Sequence, residues 1–152
     1  MKTIDAEVEL MRGTELFRIP GTIVVTHYNA QRALVAGWES LSTPAFREAM
    51  IRAVSECARL RVKSWIADLT CNPGVPSQAD LEWLKTGASQ STADSGIRAV
   101  INVHGKSALS SLGANHWSKG AAAGGLVTGD CQSLEEALEL AAKVAEGKLR
   151  AK

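Results

Sequence analysis

Little in this chain is in excess. Its three cysteines, Cys57, Cys71 and Cys131, are odd in number and show no CxxC or comparable spacing, which argues against a disulfide framework and against a zinc site. Charge of one sign is also missing: 17 Lys and Arg stand against 16 Asp and Glu, so no large field draws nucleic acid or an anionic membrane. No run approaches the ~20 apolar residues of a membrane helix. The first residues alternate charge (Lys2, Asp5, Glu7, Glu9, Arg12) with apolar side chains and contain no signal-peptide core. These absences predict a cytoplasmic protein in a reducing compartment, with no membrane insertion and no nucleic-acid partner. Neither internal repeats nor low-complexity segments occur beyond a Gly/Ala patch at 120–125.

Signatures of chemistry are equally sparse. Gly105, Lys106 and Ser107 resemble the tail of a phosphate-binding loop, but Val100 stands where the first glycine is needed, so a strand-end turn is the better reading. Asp68 and Lys106 lack the acidic pair with which a phosphoryl-acceptor site holds magnesium. His27, His104 and His116 have no His, Asp or Glu at ligand spacing, so neither a metal nor a cofactor is expected. Cys71, with Asp68 and His104, can be imagined as a thiolate nucleophile, but nothing near it in the sequence is cationic enough to activate it, and a small, partly buried loop residue is the stronger reading.

What is present is a pattern of alternating elements. A length of 152 residues suits one domain, with residues 1–13 as an arm or short strand, and buries roughly two thirds of its unfolded surface. Glu15 to Ile19, Thr22 to Tyr28 and Gln31 to Gly37 are β-prone runs parted by the turn pairs Pro20–Gly21 and Asn29–Ala30, which predicts an antiparallel meander. Thr43 as a cap and Pro44 at the first helical position open a helix to Leu60, with Phe46, Met50, Val54 and Cys57 on its apolar face.

The central stretch is Lys63 to Leu84, KSWIADLTCNPGVPSQADLEWL. It reads as a buried strand, a proline-kinked loop and an amphipathic helix capped by Ser77, with Asp80 at capping-box spacing and Leu81 and Leu84 inward. Gln90 to Gly96 is polar and turn-rich. Ile97 to Val103 is another buried strand, and Ser107 to Lys119 a helix interrupted at Gly113. Gly120 to Gly125 is a small-residue link, Leu126 to Thr128 a last strand, and Ser133 with Glu136 caps a helix to Glu146. The sum is an α/β domain, a mixed sheet with an N-terminal antiparallel meander and then parallel strands, flanked by about four helices. Ligands of such sheets gather beyond the carboxyl ends of strands at a switch in topology, which places a site in the loop after Asp68.

That order, with WIAD on the fourth strand, the Gly37–Trp38 strand end, Asp80 and Trp83 on the next helix and the SLEEAL helix start, resembles the SpoIIAA-like proteins, relatives of the STAS regulatory domains. The resemblance, from about Glu15 to Glu146, implies a small bacterial regulatory module. Related folds include lipid carriers. In STAS proteins a strand ending in Asp, Leu and Ser or Thr precedes a phosphorylated serine, and counting from Asp68, Leu69 and Thr70 lands on Ser77. The resemblance thus implies Ser77, Asp68 and Thr70 as a regulatory or partner-contact set. Capping alone also accounts for Ser77.

Three readings stay open at this point. One is a non-catalytic module recognising a protein partner through Thr70 to Ser77 and the following helix. Another is a carrier or sensor of a small apolar ligand, in a pocket walled by Trp65 and Trp83 with Leu81 and Cys71. The last is an enzyme using Cys71 or Asp68. Self-association is compatible with all three.

Overall fold

The Pro20–Gly21 pair closes a tight turn: Thr22 N–H donates to the Ile19 carbonyl at 3.0 Å, and Gly21 takes φ +75°, which glycine adopts without strain. Strands β1 (Thr14–Ile19) and β2 (Ile23–Tyr28) pair antiparallel across it. The structure, a computed structural model, describes residues 12–106 and 108–149. Of the expected N-terminal arm, residues 1–11 lie outside these.

The second turn is longer than expected. Asn29 accepts from Arg32 N–H at 3.2 Å and Arg32 itself adopts φ +51°, so Gln31 belongs to the turn and β3 begins at Ala33 (Ala33–Trp38). From there the sheet turns parallel, with β4 (Ser64–Asp68), β5 (Ala99–Val103) and β6 (Val127–Cys131) added in order. The register aligns Gly37, Asp68, Val103 and Cys131 in one row, so the strand ends form a level edge.

The strand order is β1-β2-β3-β4-β5-β6. The topological switch expected beyond β4 is therefore absent: every crossover advances the same way, which keeps the crossover helices on one face and opens no crevice between oppositely running halves. The loop after β4 sits at the strand ends, flanked by β3 and β5.

Three crossover segments cover one face. Helix α1 (Phe46–Leu60) contributes Phe46, Met50, Val54 and Cys57, as its periodicity predicts. Its expected cap is not used. Thr43 Oγ1 bonds Thr22 Oγ1 at 2.7 Å, tying the helix entry to the first hairpin, and Ala45 occupies the cap position without a side-chain bond.

The second crossover is helical for longer than its composition suggests: α2 (Gln78–Trp83) passes through a π-helical turn (Leu84–Ala88) into α3 (Ser89–Asp94). Hydroxyls explain this. Thr86, Ser91 and Thr92 each donate to the carbonyl four residues earlier, so a run rich in turn formers satisfies its polar groups inside the helix. Helix α4 (Ala108–Ala123) likewise runs unbroken past Gly113 and into the expected Gly/Ala link. Ala114, Trp117 and Ala121 are its buried face, and the small residues let it lie close to the sheet. Gly125 at φ +86° ends it, with Leu126 N–H returning to the Ala121 carbonyl at 3.0 Å.

Helix α5 (Leu134–Ala145) covers the other face, over Ile66, Ile101 and Val103, through Ala137, Leu138, Ala141 and Val144. Ser133 Oγ accepts from Glu136 N–H at 3.1 Å, and Glu136 Oε2 accepts from Gln132 N–H at 3.2 Å. Losing this cap in Ser133→Ala is expected to lower stability by about 1 kcal/mol. The urea midpoint then falls with an unchanged m-value, and an unshifted midpoint would remove the cap from the account of this helix.

Candidate functional site

At the end of β4 the backbone must leave a buried strand, and the Asp68 carboxylate directs it. Its Oδ1 accepts from Thr70 N–H at 3.0 Å and from Thr70 Oγ1 at 2.6 Å, an Asx turn that reverses the chain within two residues. Asn72 N–H then donates to the Leu69 carbonyl at 3.0 Å, with Asn72 at φ +53°. Asparagine tolerates that conformation better than most residues.

Other elements hold the loop from outside. Leu69 N–H donates to the Val103 carbonyl at 2.9 Å and Leu41 N–H to the Pro73 carbonyl at 3.0 Å. Gly105, after β5, supplies the floor: a Cβ there would meet the Leu69 carbonyl at 2.6 Å and Asn72 Oδ1 at 2.5 Å. Pro73 and Pro76 are buried, whereas Thr70, Cys71, Asn72 and Ser77 face solvent. Ser77 Oγ accepts from Asp80 N–H at 3.2 Å, the expected cap of α2.

Behind the loop, α2 is tied to α1. Arg47 Nε donates to Asp80 Oδ1 at 2.6 Å, its Nη2 to the Ala79 carbonyl at 3.2 Å, and its guanidinium lies 5.4 Å from the Trp83 ring centre. Trp83 in turn meets Phe46 edge-on with 6.2 Å between centroids.

The sequence reading set Trp65 and Trp83 on either side of one pocket. The structure separates them. Trp65 stacks obliquely on Trp117, centroids 5.7 Å apart, beside a small cavity of about 30 Å³ that Trp38 and Phe46 also line. Trp83 lies outside that lining, along a surface groove between α1 and α3 that Ile51 and Val54 share. Leu81 is buried but lines neither, and Cys71 is at the surface. The cavity instead gathers Trp65 with Trp38, from the end of the neighbouring strand, and with Trp117, on the helix after the next strand. Their distance in sequence hid it.

Two polar groups also escaped the sequence reading. Asn102, on β5, is 1% exposed; its Nδ2 donates to Ser118 Oγ at 2.8 Å, but its Oδ1 has no partner among the described residues. Trp117 is 4% exposed, and its Nε1 also has no partner among the described residues. Both line the cavity beside Trp65. The signal was a lone asparagine inside the apolar AVINV run.

The proposed chemical sets are accounted for differently. His104 Nε2 lies 2.5 Å from Asp130 Oδ1, across neighbouring strand ends, while Asp68 Oδ1 is held by Thr70. Among the described residues no three His, Cys, Asp or Glu side chains gather as a metal would need, and no helix is long and apolar enough to cross a membrane. Burial, with Glu56 nearby, pushes the Cys57 thiol far up; burial, with Glu136 and Asp130, raises that of Cys131. Ellman's reagent is thus expected to modify one thiol per native chain, Cys71, and none in Cys71→Ser. Reaction of Cys57 or Cys131 at a comparable rate in the folded protein would contradict the burial described.

No protein-family model matches this chain, and neither does any curated protein or solved structure.

Proposed function

We propose that the chain is a non-catalytic regulatory module that recognises a protein partner through Thr70 to Ser77 and α2 behind it. The observation that carries this reading is that the loop is fixed and exposed at once. Its backbone is bonded to β5 and to Leu41, and its prolines are buried, yet four of its side chains face solvent. A surface already held in one conformation loses little entropy on binding. The likeness of the sequence to SpoIIAA-like and STAS proteins supports the same reading, with Ser77 as the regulatory serine and Asp68 and Thr70 shaping the loop around it.

Cys71 offers a direct test, because it is the exposed cysteine on this surface. A photo-crosslinker attached there is expected to capture a discrete protein that a probe at Glu15→Cys, on the far edge strand in a Cys71→Ser background, does not. The purified partner should then bind Ser77→Glu at least tenfold differently from Ser77→Ala. Identical capture from both positions, or equal affinities for both variants, would remove this face from recognition.

A further inference from the structure

We infer that the amino end of the sheet binds a short alkyl diphosphate, its charged head on a row of cations and its chain in a neighbouring aliphatic hollow. This end is opposite the loop after Asp68, so the inference stands whether or not the partner reading does. Three basic residues lie side by side on consecutive strands: Arg32 precedes β3, Lys63 precedes β4 and Arg98 precedes β5. Their backbones are bonded in turn across the sheet. Lys63 N–H donates to the Arg32 carbonyl at 2.8 Å, Arg98 N–H to the Lys63 carbonyl at 2.8 Å and Val127 N–H to the Arg98 carbonyl at 2.9 Å. Neighbouring strands run about 4.8 Å apart, so three basic residues share roughly 10 Å of sheet edge. Arg61, closing α1 two residues before Lys63, adds a fourth. Arg32, Arg61 and Arg98 are exposed and Lys63 is partly so. None of the four has an ion-pair partner among the described residues; of the acids toward this end, Glu56 is held by Arg59 and Glu146 by Lys148.

A balanced net charge hides this row, because its members are far apart in sequence and meet only when β3, β4 and β5 pair. Like charges on paired strands work against the pairing, so an unanswered row calls for an anion. Arginine meets phosphoryl oxygens with two N–H groups at once, and a diphosphate spreads several charges along the row where a lone carboxylate would answer one cation. Beyond Arg98 the edge turns apolar. An open hollow of about 450 Å³ lies between the ends of α4 and α5, lined by Ile97, Leu126, Val127 and Leu149, with Arg98 as its one charged side chain. That volume falls within the ~300–1,000 Å³ of small-molecule sites. The lining offers no aromatic ring, side-chain amide or hydroxyl, so an aliphatic chain fits it better than a nucleobase. Charge balance at a helix end is the rival account, and it covers Arg61, which caps α1. It leaves Lys63 and Arg98, each leading into a strand, unexplained.

The test titrates the full chain calorimetrically with geranyl diphosphate, inorganic diphosphate and geraniol. Geranyl diphosphate is expected to bind at least tenfold more tightly than either of the others. Its addition should shift the backbone amides of Arg98, Val127 and Gly147 saturably and leave those of Thr70 and Ser77 in place. Lys63→Gln combined with Arg98→Gln should lose at least tenfold in affinity. Arg150→Gln combined with Lys152→Gln removes the same charge from outside the row and should change affinity less than twofold. Because the comparison of probes needs only the wild-type chain, failure of a variant to fold leaves the inference exposed to refutation. Inorganic diphosphate or geraniol binding as tightly as the ester, equal losses in the two double variants, or shifts confined to the loop after Asp68 would overturn it. So would cosedimentation with phosphatidic acid vesicles by a chain that takes up no soluble ester, which would make this end a membrane contact instead.

Discussion

Trp65→Ala is expected to cost about 3–5 kcal/mol of stability, the range for removing a fully buried tryptophan, and to lower the melting temperature by roughly 6–20 °C. Trp65 is 1% exposed and sits where β4 meets α4, stacked on Trp117. Few neighbours can move into the space, because the cavity beside it is already incompletely filled and its lining includes two polar side chains, Asn102 and Trp117, each with an atom that has no partner among the described residues. Against a total of about 5–15 kcal/mol for a domain, the loss is large. Trp83→Ala should cost only roughly 1–2 kcal/mol, since that ring is only partly buried and gains chiefly from Arg47 above it and the Phe46 edge beside it. Denaturant titration of both variants decides the matter. Equal losses would mean that the two tryptophans belong to one packed unit after all.

The contrast between these residues shows what local pattern conveys. Period and turn chemistry made the α/β order readable, because each strand is a short apolar run and each boundary carries a residue with one strong preference. Gly21 sits at positive φ where the Pro–Gly pair required it, and Ser77 and Ser133 cap the helices their spacing announced. Errors arose where a side chain bonds something distant in place of its own backbone. Thr43 looked like a cap and instead meets Thr22 across 21 residues. The opposite happened at Thr86, Ser91 and Thr92, whose hydroxyls fold back on the helix that their composition seemed to forbid.

The site was half legible for the same reason. The loop after Asp68 was placed by its prolines and by the cap that follows it, all within one stretch of sequence. What surrounds it was not. Trp117 and Asn102 reach the cavity from a later helix and the next strand, and no spacing within Lys63 to Leu84 points to either. The strand order, too, depends on which way each crossover advances, and that is decided by packing against the whole sheet.

Gly105 is the sharpest instance, and its replacement should disturb the loop more than any change within it. Its neighbours in sequence suggested only a strand-end turn. The constraint comes from a different segment, because the Leu69 carbonyl and Asn72 Oδ1 press onto its Cα from above. A methyl group there would lie 2.6 Å from a backbone oxygen that cannot rotate away, so in Gly105→Ala the loop must lift. Overpacking of this kind typically costs about 1–3 kcal/mol. The lift should also break or lengthen the bonds from Leu69 N–H to Val103 and from Asn72 N–H to Leu69, and amide exchange at both positions is expected to accelerate while the α5 amides stay protected. Adding Asn72→Gly removes the side-chain oxygen and suits the positive φ at that position, yet it leaves the carbonyl in place. The double variant should therefore recover only part of the lost stability and exchange protection. Full recovery would show that Asn72 alone is the obstacle; no loss in Gly105→Ala would show that the loop rests on the sheet edge loosely. In that case the fixed surface on which partner recognition depends would not exist.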